Sequence, residues 1–332
     1  MGSIVAFFAV IALVLTAFLG VNAGHMQYLF GVVIPYAAMV IFITGFVSRV
    51  LKWGSSPVPF CIPTTCGQQE SLPWIKQNKI DNPSTTFGVI VRMALEVLLF
   101  RSLFRNLKTQ MSEGQKLVYG EAKWLWLAGM AFHWAFLLIF IRHLRFFTGK
   151  LLVPVQMLEG LDSFLQVGTP LLYLTDLVLL AAVIYLFLRR IGLPQMRYIS
   201  LIADYFPLVL IFGLAVTGVL MRYFYKTDII SVKVLAMSLV GFNPDPTVLG
   251  KIGALFFIHL FLLCVLLAYF PFSKLMHMGG VFMSPTRNLA NNSRMKRHIN
   301  PWNYPVHVHT YAEYEDDFRE KMKKAGLPVE KE

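Results

Sequence analysis

Charge is scarce in this 332-residue chain. Asp, Glu, Lys and Arg make up 14% of it, against about 25% in an ordinary soluble domain. With 56% hydrophobic residues and a mean hydropathy of +0.60, that deficit excludes a soluble globular protein and points to a polytopic membrane protein. Cysteine is scarcer still, limited to Cys61, Cys66 and Cys264. No Cys-x-x-Cys-His segment occurs, which removes covalent c-type haem attachment. Cys61 and Cys66 cannot alone complete a four-cysteine cluster and read as reduced thiols of a Pro-rich loop; Cys264 reads as a small packing residue. No internal repeat is visible, so the inverted-repeat plan of many secondary transporters is missing. Almost no basic residue precedes the first apolar run, so a retained first helix is expected in place of a cleaved signal peptide.

Six apolar stretches are long enough to cross a bilayer: roughly 4–23, 29–51, 124–147, 170–188, 199–223 and 252–272. The run 87–103 is apolar but interrupted by Arg92, Glu96 and Arg101, and fits an amphipathic helix lying in the interface. The expected fold class is therefore an all-α integral membrane protein with about six transmembrane helices. Two N-terminal spans fill 1–53, a loop with the interfacial helix 54–123, a four-helix core 124–278, and a polar C-terminal arm 279–332.

The net charge of +12 matters mainly through its placement. Lys52, Lys76, Lys79, Arg92, Arg101, Arg105, Lys108 and Lys116 lie between spans two and three, Arg189, Arg190 and Arg197 between spans four and five, and Arg287, Arg294, Lys296 and Arg297 in the tail. The other connections hold fewer: Arg145 and Lys150 after span three, Lys226 and Lys233 after span five. The positive-inside rule then puts both termini in the cytoplasm. Topology thus accounts for a basic bias that would otherwise suggest nucleic acid.

Of eight histidines, four fall in two spans: His133 and His143 in span three, His259 in span six and His277 just beyond it. His25 lies in a short loop, and His298, His307 and His309 in the tail. Antiparallel spans bring His143 level with His259 and His133 level with His277. Ten residues of helix rise about 15 Å, a fitting separation for two stacked bis-histidine haems, each needing ligands from different elements. The eighteen residues from His259 to His277 would rise about 27 Å as one helix, so levelling the pairs requires a bend, for which Pro271 is placed. From the residues alone, neutral histidines bonded between helices, or a proton relay in a transporter, remain open beside the haem reading. Ionisable residues within spans are rare and usually functional.

The segments "FIHLFLLCVLLAYFPFSKLMH" and "AFHWAFLLIFIRH", with "LFLRRIGLPQMRYISLIADYFPLVLI", resemble the gamma subunit of respiratory nitrate reductase, a dihaem cytochrome b. The resemblance covers about residues 30–52 and 124–287. The extra first span, the long Cys/Pro loop and the tail "NPWNYPVHVHTYAEYEDDFREKMKKAG" make it similar to the DsrM and HmeC branch, the membrane cytochrome b of DsrMKJOP-type complexes of sulfur metabolism and sulfate reduction.

That resemblance implies two haems b, held by His143 with His259 toward the outer face and His133 with His277 toward the cytoplasm. It implies menaquinol or menaquinone as substrate in the cell membrane. It also implies a cytoplasmic iron–sulfur partner similar to the heterodisulfide reductase catalytic subunit (HdrD-like, DsrK-like), with further membrane and periplasmic redox subunits. Arg142 could balance a haem propionate, and a quinone site is expected near His143, Arg142 and Lys150. The family's quinone-binding lysine has no counterpart at matching distance, Lys150 lying closer to His143. A gamma subunit of a nitrate reductase, formate dehydrogenase, hydrogenase or heterodisulfide-reductase-like complex is the neighbouring alternative. Asp176 and Asp204 are expected to pair with arginines or cap helices. The aromatics of the tail (Trp302, Tyr304, Tyr311, Tyr314 and Phe318) suggest an extended arm that docks on the iron–sulfur partner.

Overall fold

The computed structural model describes residues 1–58, 67–112, 116–164, 166–167, 172–296 and 305–331. Cys61, Cys66, Trp302 and Tyr304 lie outside the described residues.

Long apolar runs without an interior breaker become helices because only a helix satisfies every backbone polar group within its own segment in lipid. α1 is Gly2–Asn22. A π-helical turn, Leu29–Val33, leads into α2, Ile34–Gly54; the turn directly precedes Pro35, which has no N–H to give the helix. α3 (Thr86–Leu99) starts where the Thr85 hydroxyl accepts the Gly88 N–H at 3.2 Å, an N-cap that satisfies one free donor. α4 (Arg101–Phe104) continues it beyond a break at Phe100. So the single helix expected over 87–103 is two helices, split where Phe100 takes a left-handed conformation with φ 49°.

β1 (Leu107–Ser112) and β2 (Lys116–Glu121) form an antiparallel hairpin. Then come α5 (Lys123–His143), α6 (Val153–Phe164), a second small hairpin of β3 (Gln166–Val167) and β4 (Leu172–Tyr173), and α7 (Leu174–Gly192). These hairpins are the departures from an all-helical chain, both confined to connections. α8 (Pro194–Ile199), α9 (Ile202–Val219), α10 (Ile229–Val240) and α11 (Ala254–Tyr269) follow. α10, an apolar 12-residue helix too short to cross, was not anticipated. α12 (His277–Gly280) and α13 (Tyr311–Lys324) complete the chain.

Among the described residues, five helices, against the six spans expected, are long and apolar enough to cross a membrane: Gly2–Asn22, Leu29–Gly54, Lys123–Phe146, Ile202–Phe224 and Ala254–Phe272. α7, with 19 residues, rises about 28 Å; it carries Asp176 in its first turn and Arg189 and Arg190 in its last. The protein is a multi-pass, mainly helical membrane protein. Large side chains such as Phe7, Phe8, Ile43, Leu137 and Phe140 stay exposed on the spans, as lipid-facing residues must.

Packing runs in sequence from α5 to α7, α7 to α9, and α9 to α11, with α1 against α9 and α11 and α2 along α11. The core lies inside this arrangement, around Val183, Leu210, Phe257 and Leu262. Cys264 is buried there too. α5, which carries His133 and His143, and α11, which carries His259, are not among the closely packed pairs.

Candidate functional site

Helical register decides which histidines meet. His143 ends α5 and His259 lies in the first two turns of α11; their rings stand 6.4 Å apart by centroid and nearly parallel, at 11°. One helical stretch away, His133 faces His277 with centroids 5.9 Å apart and planes at 88°.

The bend needed to bring His277 level is present. α11 ends at Tyr269, Phe270–Phe272 is a 3₁₀ turn containing Pro271, and Ser273 is extended with ψ 178°. A second 3₁₀ turn, Lys274–Met276, delivers His277, its first turn capped by the Ser273 hydroxyl. Gly45 of α2 makes room for this exit. A Cβ there would stand 2.8 Å from the Cβ of Pro271.

All four imidazoles are held by Nδ1. That of His133 is 2.7 Å from the Gly129 carbonyl, that of His143 2.7 Å from the Ile139 carbonyl, and that of His277 2.9 Å from the Lys274 carbonyl. A carbonyl only accepts, so Nδ1 carries the proton and Nε2 keeps its lone pair. The Nδ1 of His259 lies 2.8 Å from the Thr217 hydroxyl, whose oxygen can accept from it when the hydroxyl hydrogen goes to the Gly213 carbonyl at 2.8 Å. This is the arrangement in which outer-shell bonds fix tautomer and orientation of metal-binding histidines. A metal bonds imidazole nitrogen at about 2 Å, and the ring centre stands about 1 Å behind, so two imidazoles that would share one ion need centroids about 6 Å apart. Both pairs fit a bis-histidine haem by that measure.

Beside the His143 pair lies a buried ionic network. The Arg142 guanidinium meets Asp162 at 2.6 Å and Asp176 at 2.5 Å, with all three side chains at most 10% exposed. The Tyr223 hydroxyl donates to Asp176 at 2.6 Å, and the Thr175 hydroxyl to Asp162 at 2.6 Å. Tyr173 lies between the guanidinium groups of Arg142 and Arg222, 4.5 and 4.2 Å from its centroid. Arg142 thus faces inward, engaged by two carboxylates. Lys150 is exposed, outside this cluster. Thr217, Asp162, Tyr223 and Arg222 were missed in the sequence, because none carries a spacing signal and each gains its place only when separate helices meet.

At the other pair, the supports come from connections. Phe100 and Phe132 each stand 5.0 Å from His133, edge-on. Asp204 pairs with Lys274 at 2.6 Å and accepts the Leu201 N–H at 3.0 Å, capping α9 as expected of it. The loop before α3, together with α3 itself, clasps the chain that leaves His277: Arg92 of α3 donates to the Thr286 carbonyl at 3.0 Å, Asn291 N–H to the Pro83 carbonyl at 2.7 Å, and Gln69 to the Ser293 hydroxyl at 2.9 Å. Asp81 holds Arg101 at 3.1 Å and also Arg105. Burial pushes its carboxyl upward, but the bond from Arg105 and the charges of both arginines outweigh this and leave its pKa below the ordinary value.

The tail differs from the extended arm expected. α13 opens with a capping box between Thr310 and Glu313 and closes at Gly326, φ 70°. Buried Glu315 accepts the N–H groups of Glu330 and Lys331 at 2.7 and 2.8 Å, folding the end of the chain back on the helix. His307, His309 and Glu313 gather ligand atoms within 4.8 Å. All three are exposed, Glu313 is engaged in the cap, and the positive end of a helix dipole disfavours a cation.

Residues 84–298 match the family described as nitrate reductase gamma subunit. The chain is 44% identical over 279 residues to the Hdr-like menaquinol oxidoreductase cytochrome b-like subunit of Archaeoglobus fulgidus, covering 82% of this chain and 83% of that one. The protein of the same description from Archaeoglobus profundus is 44% identical over 274 residues, covering 81% of each chain. This chain belongs to the nitrate reductase gamma-subunit family.

Proposed function

We propose that the protein is a dihaem cytochrome b, with His133 and His277 ligating one haem b and His143 and His259 the other. The observation that carries this reading is the geometry: four histidines each with Nδ1 at hydrogen-bond distance from a neighbouring oxygen, meeting in two pairs at 5.9 and 6.4 Å. When bound, haem supplies one-electron transfer at a potential set by ligation, hydrogen bonding and burial. The chain's part is to fix each imidazole through its Nδ1 bond and to hold the two pairs apart along α5.

Function follows as electron transfer between menaquinol and a redox partner, a reading supported by the description of the Archaeoglobus relatives. Loop charge places the His133 pair toward the cytoplasm and the His143 pair toward the outer face. The quinone site belongs at the latter, near His143, Arg142 and Lys150. Quinol oxidation releases two protons, and the Asp176–Tyr223–Arg142 network offers polar groups beside the histidines for them. Electrons passing inward while protons leave outward separate charge, at about 2.3 kcal/mol per elementary charge per 100 mV. The partner is a cytoplasmic iron–sulfur subunit of the HdrD or DsrK kind, and the chain falls in the DsrM branch of its family. The exposed Tyr311, Tyr314 and Phe318 of α13 form the docking face.

A reduced-minus-oxidised spectrum of the purified chain tests the core of this reading. It requires a b-type α band and two haems per chain by pyridine haemochrome; a colourless protein refutes it. Truncation after Lys296 keeps the Asn291 clasp and is expected to leave both haems bound while weakening retention of the iron–sulfur partner.

A further inference from the structure

The break between α3 and α4 falls at Phe100. This residue interrupts the helix before α5 in a left-handed conformation, φ 49° and ψ 46°, uncommon for a bulky side chain and tolerated only where the surroundings over-determine it. The surroundings here do so. The last carbonyls of α3 are taken by indoles of α5: Trp134 donates to Leu98 at 3.1 Å and Trp126 to Leu99 at 2.7 Å. The Phe100 N–H closes the helix on the Glu96 carbonyl at 3.2 Å, and the Glu96 carboxylate accepts the N–H and hydroxyl of Ser102. Held this way, the Phe100 ring meets the His133 imidazole edge-on at 5.0 Å and 87°. The far end of the same segment is tied to the chain leaving His277 through Arg92 and Thr286.

We infer that Phe100 is a positioning residue for His133, wedged by the α3–α4 break so that its ring fixes the imidazole plane and keeps water from that side of the metal-binding pair. This rests on His133 and His277 being axial ligands. An apolar neighbour disfavours the more highly charged ferric state, since burial and dielectric are levers on a haem potential. Loss of the ring admits water and lowers the midpoint potential of that haem alone.

The test uses the full-length chain with Phe100→Ala, Phe100→Gly, Phe100→Leu and Phe100→Tyr. Haem content, redox titration and low-temperature electron paramagnetic resonance are measured, and His133→Ala identifies which haem is which. Phe100→Ala and Phe100→Gly are expected to lower the midpoint and shift the low-spin signal of the His133-ligated haem, or to lose that haem alone. The other haem stays unchanged. Phe100→Leu, the milder variant should alanine prevent insertion, gives a smaller shift of the same sign, and Phe100→Tyr retains the wild-type values. Glycine separates ring from backbone, because it relieves the left-handed conformation while deleting the ring. Wild-type behaviour in Phe100→Gly, equal shifts of both haems, or an unchanged Phe100→Ala each overturns the inference. A wild-type chain without haem overturns the ligand reading first, and is distinguished by the haem assay.

Discussion

His143 and His259 face each other with planes 11° apart, held by regular helices, by the Ile139 carbonyl and by Thr217 of α9, with a buried ionic network beside them. His133 and His277 stand at 88°, and one of them lies beyond a proline, outside any long helix. The first pair is supported mainly from the bundle, the second by the loop clasp, Phe100 and the bend at Pro271. Similar donor atoms are thus positioned by two kinds of scaffold. A site on packed helices resists change in the loops, whereas a site reached through a clasp is open to influence from whatever binds there.

The largest expected effect removes one site and spares the other. His143→Ala or His259→Ala should each lower haem from two per chain to one, losing the same haem, while His133→Ala or His277→Ala loses the other. Four variants that all keep two haems would refute the pairing. Quinol should still reduce the remaining haem in His133→Ala but not in His143→Ala; the reverse moves the quinone site to the His133 end.

Next is Thr217, the one side-chain acceptor among the four Nδ1 partners. Thr217→Val should weaken haem binding at the His143–His259 site by about 10–100-fold, with Thr217→Ser close to wild type, read by haem titration of the apoprotein. Gly45 is the counterpart at the other site. Gly45→Leu forces α2 against the rigid ring of Pro271, an overpacking cost of about 1–3 kcal/mol. It should displace His277 and lower occupancy of that site alone, whereas equal loss at both would show general misfolding.

Smallest is the acid response of the clasp. Against the upward push of burial, Arg105 and Arg101 hold the Asp81 carboxyl below its ordinary pKa of 3.8, so its contribution is present above that value and fades as pH falls through the lower folded one. Proteolysis of the 67–83 loop in membranes is expected to stay slow at pH 5 and to quicken only well into acid. Asp81→Asn should remove that dependence, and a wild-type loop already opening at pH 5 contradicts it.

Five of the six expected spans and the pairing of the four histidines by level were readable because bilayer thickness and helical rise turn sequence spacing into depth. The bend at Pro271 was readable for a similar reason, since a missing N–H is a local property. The split at Phe100 was not, because it depends on two tryptophans of α5 capturing carbonyls of another helix. Nor was the extent of α7, set in part by a hairpin whose strands pair only once the loop has folded.

Sequence by itself determined which side chains can ligate a metal, how far apart they stand along each helix, and that the chain lives in lipid. Tertiary structure decided how each imidazole is held. Helix rotation and approach place the Thr217 hydroxyl against His259 and turn the Arg142 guanidinium inward onto Asp162 and Asp176, where the sequence allowed it to reach the membrane surface. Periodicity fixes position along an axis, but the partner of a side chain is set by the packing of several helices at once.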